Sequence, residues 1–230
     1  MQVSIISQKI DNPIHYIAEN ARICYGREDF NENLDFNNNK DLTTVESLLN
    51  KGHHSVFECI YIEWYVQNIS RAASHQLVRH RMASYLQQSQ RYCKYDIESS
   101  ESFWNNMVIP DLEYLTGEDL IAAQHVITNN IENTKLDYKY LIKLGVKPED
   151  ARCILPNCSP TTIKIGMNLR EFLFNFYPLR TSKHAQAEIR NLAIIMFGTL
   201  MTKYISDKTF QDFIIIYTDW LSKQNRPEWK

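Results

Sequence analysis

Residues 56–80 read VFECIYIEWYVQNISRAASHQLVRH, and their pattern changes character once. From Val56 to Gln67 the side chains are β-branched, aromatic and partly alternating, with too little helical periodicity, which predicts a strand. Ser70 then opens a helix, SRAASHQLVRH, that ends in three consecutive cationic or titratable residues. Upstream, residues 2–7 predict a short strand, and Asn12 an N-cap with Pro13 at the first helical position and Gly26 as the stop. Residues 28–40 are polar and asparagine-rich and read as a surface loop, after which Asp41 caps a second helix ending at Gly52. Downstream, Ser89 to Tyr95 reads as extended. The longest periodic segment runs from Thr116, paired with Asp119 in a capping-box-like arrangement, to Gly145. Pro148 opens a short helix closed at Leu155-Pro156, residues 161–168 read as a strand, 169–177 as a helix, and another helix runs from Ser182 to about Tyr204. Helices outnumber strands and the two do not alternate regularly. The expected fold is α+β: a single domain over 1–230, a mixed or antiparallel sheet with several helices packed around it.

Composition excludes several functions. The chain has 230 residues, 44% hydrophobic and 23% charged, which is a globular balance. Its 25 Lys+Arg against 27 Asp+Glu leave a net charge of -2, no footprint for bulk nucleic-acid or membrane binding, though a local basic pocket remains open. None of the six glycines falls in a G-x-G-x-x-G or P-loop arrangement, so a dinucleotide or phosphate must be held some other way. Five cysteines (24, 59, 93, 153 and 158), odd in number and without a C-x-x-C pair, predict neither a disulfide framework nor a zinc site and suit a reducing cytoplasm. His75, His125 and His184 lack metal spacing. The N-terminal MQVSIIS has no basic n-region, and no apolar run approaches membrane-spanning length; a cytoplasmic protein is expected. The run IIMFGTLM (194–201) reads as a buried helix face.

The densest polar cluster is Arg79-His80-Arg81, followed by Ser84, Gln87, Ser89 and Arg91. A cationic trio at a helix C-terminus is accounted for equally by a solvated end that complements the helix dipole and by an anion site. The next residues tip the balance. SYLQQSQR supplies hydroxyls, amides and another guanidinium with almost no aliphatic filler, which suits a phosphorylated, carbonyl-bearing ligand.

With Arg79-His80-Arg81 followed after seven residues by Ser89, the chain resembles the flavin-dependent thymidylate synthases. The likeness extends through GHHSVFE (52–58), SRAASHQLV (70–78), ARCILP (151–156), N-x-R (168–170) and LR-x-x-x-HAQ-x-EI (179–189), covering most of residues 41–200. The resemblance implies transfer of the methylene of methylenetetrahydrofolate to C5 of dUMP, with FAD as hydride carrier and NADPH as its reductant. It implies a homotetramer whose sites are shared between subunits, and no nucleic-acid or membrane partner. For dUMP it implies Gln76, Arg79, Gln87, Ser89, Gln90, Arg91, Arg152 and Arg180, with Arg180 the catalytic residue. For FAD it implies His53, Ser55, Glu58, Arg79, His80, Arg81, Gln87, Asn168, Arg170 and Asn175. No metal is implied. Cys59 and Leu169 depart from the pattern, and the interval from Asn168 to Arg180 is one residue longer than in some relatives. Two rivals stand beside this reading: a cysteine-dependent synthase using Cys158 as nucleophile, and a non-catalytic nucleotide- or RNA-binding module built on Arg79-His80-Arg81.

Overall fold

The computed structural model describes residues 1–7, 10–26, 38–95 and 101–224. In chain order the elements are β1 (Gln2–Ile5), α1 (Pro13–Cys24), α2 (Asn38–Asn50), β2 (Tyr61–Ser70), α3 (Arg71–Leu77), β3 (Ala83–Gln87), α4 (Glu101–Asn105), α5 (Gly117–Lys143), α6 (Pro148–Ala151), β4 (Pro160–Asn168), α7 (Leu169–Glu171), α8 (Tyr177–Arg180), α9 (Ala187–Lys203) and α10 (Lys208–Lys223). The strands form one antiparallel sheet in the order β1-β2-β4-β3. This is the α+β architecture expected from the sequence.

Sheet register follows side-chain alternation. In β2, Ile62, Trp64 and Val66 are buried while Tyr61 and Tyr65 are exposed, a period of two. Trp64 pairs with Ile165 at the centre of the β2–β4 ladder and packs on Phe172, 4.8 Å between ring centroids. Truncating a side chain of that size in a close-packed core costs about 3–5 kcal/mol. The main core lies between the sheet and the helices α1, α2, α9 and α10. A smaller one, around Tyr95, Trp104, Tyr138 and Ala151, joins α4, α5 and α6. Two backbone details shape the sheet. A bulge in β2 between Val66 and Ile69 places Asn68 in the left-handed region (φ 59°). On β4, a Cβ at Gly166 would run into the ring of Tyr61 lying across it, so only glycine lets that ring approach the strand.

Several elements differ from the sequence reading, each for a local reason. β2 begins at Tyr61 rather than Val56, because His54–Phe57 close a 3₁₀ turn that buries Val56 and Phe57. The extended stretch near Ser89–Tyr95 is not a strand; the strand is β3, which begins six residues earlier at Ala83, recruited by pairing with β4 rather than by its own propensity. Asp41 does not cap α2 but lies in its first turn, buried, where it accepts from Arg22 and meets His15 Nδ1 at 2.7 Å. Asn12 and Thr116 stand at the N-cap positions expected, without side-chain cap bonds. Of the loop placed at 28–40, residues 38–40 open α2, and 28–37 lie outside the described residues. The helix expected from Ser182 starts at Ala187, and its run 194–201 is not wholly buried: Met196 and Leu200 are, whereas Ile194 and Ile195 are 50% and 38% exposed. The helix placed at 169–177 continues to Arg180, α7 and α8 being joined by a π-helical turn over Phe172–Phe176. α10, amphipathic and capped by Asp207, which accepts from the Phe210 N–H at 3.0 Å, has no counterpart in the sequence reading.

Candidate functional site

The candidate ligands gather at the two opposite ends of β4. Its nine residues in extended form separate those ends by about 25 Å.

At the Asn168 end, α3 delivers Arg79-His80-Arg81 and the 168–180 helix delivers Asn168, Arg170, Asn175 and Arg180. Arg79 and Arg81 are exposed, with no hydrogen bond or ion pair among the described residues. His80 between them turns inward, with its side chain 7% exposed. Its Nδ1 lies 3.3 Å from Glu171 Oε1, and its Nε2 accepts from Arg180 Nε at 2.9 Å. A terminal nitrogen of Arg180 donates to the Gln76 carbonyl oxygen, also at 2.9 Å. Burial, with Arg79 close by, lowers the affinity of Arg180 for its proton below the ordinary guanidinium value. The Tyr85 hydroxyl, 2.9 Å from both the Leu77 and His80 carbonyl oxygens, fixes the turn that carries the trio; burial pushes its pKa up, so it stays a neutral donor. The Gln76 side chain donates to Gln186.

A cleft of about 330 Å³ opens beside this group. Asn168, Arg170, Glu58 and Asn175 line it, as the resemblance implies, together with His54, Met82, Glu171 and Phe174. Arg170 is paired with Glu58, both about half-exposed, a contact an incoming anion can exchange at little cost. His54 stacks on Phe174 at 3.9 Å and 11° and presents a flat wall. His53, the implied ligand, is instead exposed ahead of the 3₁₀ turn, with Ser55 exposed within it. His54, Glu171 and Phe174 are residues the sequence reading did not single out. The His-His doublet gave no way to choose, because the choice depends on which histidine the 3₁₀ turn swings inward. Free guanidinium groups, amides and a flat aromatic wall together suit a ligand that is both anionic and planar.

At the Pro160 end are Gln87, Ser89, Gln90, Arg91 and Arg152. Gln87 points into the fold, donating to Ser74 Oγ at 2.9 Å and Thr161 Oγ1 at 3.2 Å. Ser89 Oγ accepts from the Arg91 N–H at 3.2 Å. Arg91 and Arg152 meet at one residue: Arg91 contacts the Glu149 carboxylate at 3.3 Å, and Arg152 donates to the Glu149 carbonyl oxygen at 3.0 Å. Behind them Arg71, also absent from the sequence reading, donates to the Gln88 carbonyl oxygen at 2.8 Å. Burial and the neighbouring Arg152 lower the Arg71 pKa, although Tyr95 opposes this, and its Nε is buried without a partner. Three arginines gathered around Ser89–Arg91 and Glu149 make a candidate anion site of a second kind, electrostatic rather than planar.

Cys158 is half-buried, and burial pushes its thiol pKa up, the opposite of what a nucleophile requires. Among the described residues no three His, Cys, Asp or Glu side chains converge as metal ligands, and no helix is long and apolar enough to cross a membrane.

Comparison with known proteins identifies the family and the fold. Residues 5–204 match the family described as thymidylate synthase complementing protein. The flavin-dependent thymidylate synthase of Geobacter sulfurreducens is 35% identical over 213 residues, 92% of this chain and 86% of that protein. The Pyrococcus furiosus flavin-dependent thymidylate synthase is 38% identical over 182 residues, 79% of this chain and 71% of that one. A Helicobacter pylori flavin-dependent thymidylate synthase solved with FAD and dUMP superposes with a TM-score of 0.69 over 97% of this chain and 100% of its own, at 21% identity. A UMP/dUMP methylase of Streptomyces cacaoi solved with 5-Br dUMP gives 0.74 over 92% and 95%, at 22% identity. At such identities the two structures speak for the fold alone.

Proposed function

The chain belongs to the flavin-dependent thymidylate synthases, and on that premise we propose how its own residues make dTMP from dUMP. The carrying observation is the Arg180 guanidinium, tethered by His80 and the Gln76 carbonyl near Arg79, and linked through His80 to Glu171, which lines a polar cleft with an aromatic wall. The rival readings lack such support. An RNA-binding module has no use for a buried Arg–His–Glu chain, and a cysteine-dependent synthase is opposed by the raised pKa of Cys158.

Methylenetetrahydrofolate is the carbon donor in this reading, and FAD, kept reduced by NADPH, supplies the hydride when bound. The cleft's donor set fits FAD. Asn168, Arg170 and Asn175 offer N–H groups, Arg79 and Arg81 offer charge to the pyrophosphate, and His54 on Phe174 offers a surface for a ring. His53, Ser55, Glu58, His80 and Gln87 complete the flavin residues carried over from the family, His80 by holding Arg180 rather than by reaching into the cleft. Arg180 acts on the pyrimidine. With no thiolate adding to C6, C5 becomes nucleophilic only as negative charge spreads to N3 and its flanking carbonyl oxygens, and a fixed guanidinium stabilises that charge as it develops. Arg180 remains protonated throughout; its contribution is placement.

Gln76, Arg79 and Arg180 cluster around His80 toward the Asn168 end of β4, and Ser89, Gln90, Arg91 and Arg152 lie toward the Pro160 end. We therefore assign the uracil to one subunit's Gln76, Arg79 and Arg180, and the phosphate to another's Ser89, Arg91 and Arg152. The cleft, too small for a whole flavin dinucleotide, supports sharing as well, and so does α9, whose Ile194 and Ile195 face outward on an otherwise apolar helix. A homotetramer in the cytoplasm, each chain one domain over 1–230, is the assembly proposed.

The test begins with the purified protein's absorption spectrum, expected to show oxidised flavin, and with dTMP formation from dUMP, methylenetetrahydrofolate and NADPH. A protein that stays colourless after incubation with FAD and forms no dTMP refutes the assignment. Sharing is tested by mixing Arg180→Ala and Arg152→Ala proteins under subunit exchange at dUMP well below the raised KM of the Arg152 variant, where the mixture is expected to exceed the sum of the two alone. Arg79→Ala and Arg180→Ala lie at the same end and do not complement each other.

A further inference from the structure

Glu171 is in neither ligand set, yet three of the flavin candidates meet on it. Its side chain is only 8% exposed. Asn168-x-x-Glu171 has the form of a capping box, and half of it closes: Asn168 Oδ1 accepts from the Glu171 N–H at 2.8 Å. The other half is diverted. Instead of turning back to the N-cap, the carboxylate accepts from Asn175 Nδ2 at 2.7 Å through Oε2 and faces His80 Nδ1 at 3.3 Å through Oε1.

The opposite edge of that imidazole settles its protonation. Arg180 Nε carries a proton and has no lone pair to offer, so His80 Nε2, 2.9 Å away, must accept. The ring's single proton then sits on Nδ1, toward Glu171. The other tautomer sets two N–H groups head to head at Nε2 and turns a lone pair on the carboxylate. Phe176, edge-on to the ring at 4.9 Å and 73°, and the Tyr85 hydroxyl on the His80 carbonyl restrain the imidazole from turning over. The chain Asn175–Glu171–His80–Arg180 thus runs from the cleft to the guanidinium through one defined tautomer.

We propose that Glu171 is a positioning residue that holds His80 as the Nδ1–H tautomer and thereby fixes the Arg180 guanidinium for the pyrimidine. The tautomer stands on geometry alone; its catalytic consequence rests on the thymidylate synthase reading. A carboxylate that orients a histidine in this way acts without touching substrate; where the oriented histidine is a metal ligand, losing such support costs about 10–100-fold in activity, and an effect of similar order is expected here. A merely structural Glu171 would alter stability and leave both the tautomer and the division between rate and binding unchanged.

Two measurements separate these possibilities. In the full chain labelled with 15N-histidine, the ring nitrogen shifts report the tautomer of His80, assigned with a His80→Gln variant. The Nδ1–H form is expected, and Glu171→Ala, by leaving Nδ1 without its acceptor and the ring free to leave Arg180, is expected to weaken that preference. Finding Nε2–H in the unmodified chain, or an unchanged preference in Glu171→Ala, overturns the proposal. Glu171→Gln, nearly isosteric, serves if the alanine variant does not fold, because its amide N–H can donate a hydrogen bond to an unprotonated Nδ1 and so favour the Nε2–H tautomer. In the kinetic arm, oxidation of reduced flavin at saturating dUMP and folate slows at least about tenfold in either variant. The KM for dUMP moves less than about threefold, and combination with Arg180→Lys adds less than about threefold more. Losses that appear mainly in KM, or that multiply with Arg180→Lys, overturn the catalytic half. A protein that forms no dTMP at all refutes the thymidylate reading instead, and the nitrogen shifts still decide the tautomer.

Discussion

The two ends of β4 hold their arginines in opposite ways. At the Asn168 end Arg180 is half-buried and tethered twice, through a histidine whose other nitrogen faces a buried carboxylate. At the Pro160 end Arg91 and Arg152 are exposed and share one surface residue, Glu149. Exposed ion pairs contribute roughly 0–1 kcal/mol and give way readily to a ligand. A half-buried guanidinium tethered at two nitrogens has its orientation fixed before substrate arrives and keeps donors free to meet it. The contrast separates two tasks that both use arginine: capturing a charge that the ligand already carries, and meeting one that exists only during reaction.

Substitutions can break this contrast, beginning where the effect is largest. Arg180→Lys keeps the charge and loses the planar fork, so single-turnover oxidation of reduced flavin at saturating dUMP is expected to fall by about a hundredfold or more. A normal rate with weakened dUMP affinity would make the two ends alike. Arg91→Ala, at the capturing end, is expected to raise the KM for dUMP about tenfold while kcat stays close to its starting value; a collapse of kcat with unchanged KM would reverse the assignment of ends. The smallest effect is expected at Cys158, which belongs to neither end. Cys158→Ala should leave dTMP formation unchanged in the folded, flavin-loaded protein, and complete loss there would restore the cysteine-dependent mechanism.

The sequence disclosed the chemistry of these ends better than their geometry. Arg79-His80-Arg81, Arg180 and Asn168 are readable because contiguous motifs carry them. That His80 turns inward while its two neighbours face solvent depends on Tyr85 and Phe176, which hold the trio's turn from other elements. Glu171 is hidden for the same reason: one acidic residue at N3 of a helix looks like half a capping box, and its diversion to a histidine 91 positions away has no local signature. In the fold, β2 and α5 announce themselves through long patterns, as does the α+β class. β3 does not, because five residues paired to one neighbour owe their conformation to β4. Asp41 reads as a cap because a buried aspartate paired with His15 and Arg22 uses the same residue type as an N-cap.

The π-helical turn at Phe172–Phe176 has a consequence for how this site tolerates change in length. An extra residue in an ordinary α-helix rotates everything beyond it by about 100°. Such a rotation would carry Arg180 away from His80. A single wider turn takes up the added residue locally, while Phe172 and Phe176 stay buried and Arg180 stays in phase with its acceptor. The turn works as a vernier between the two halves of the helix, letting the segment that lines the cleft and the segment that carries the guanidinium differ in length without losing alignment.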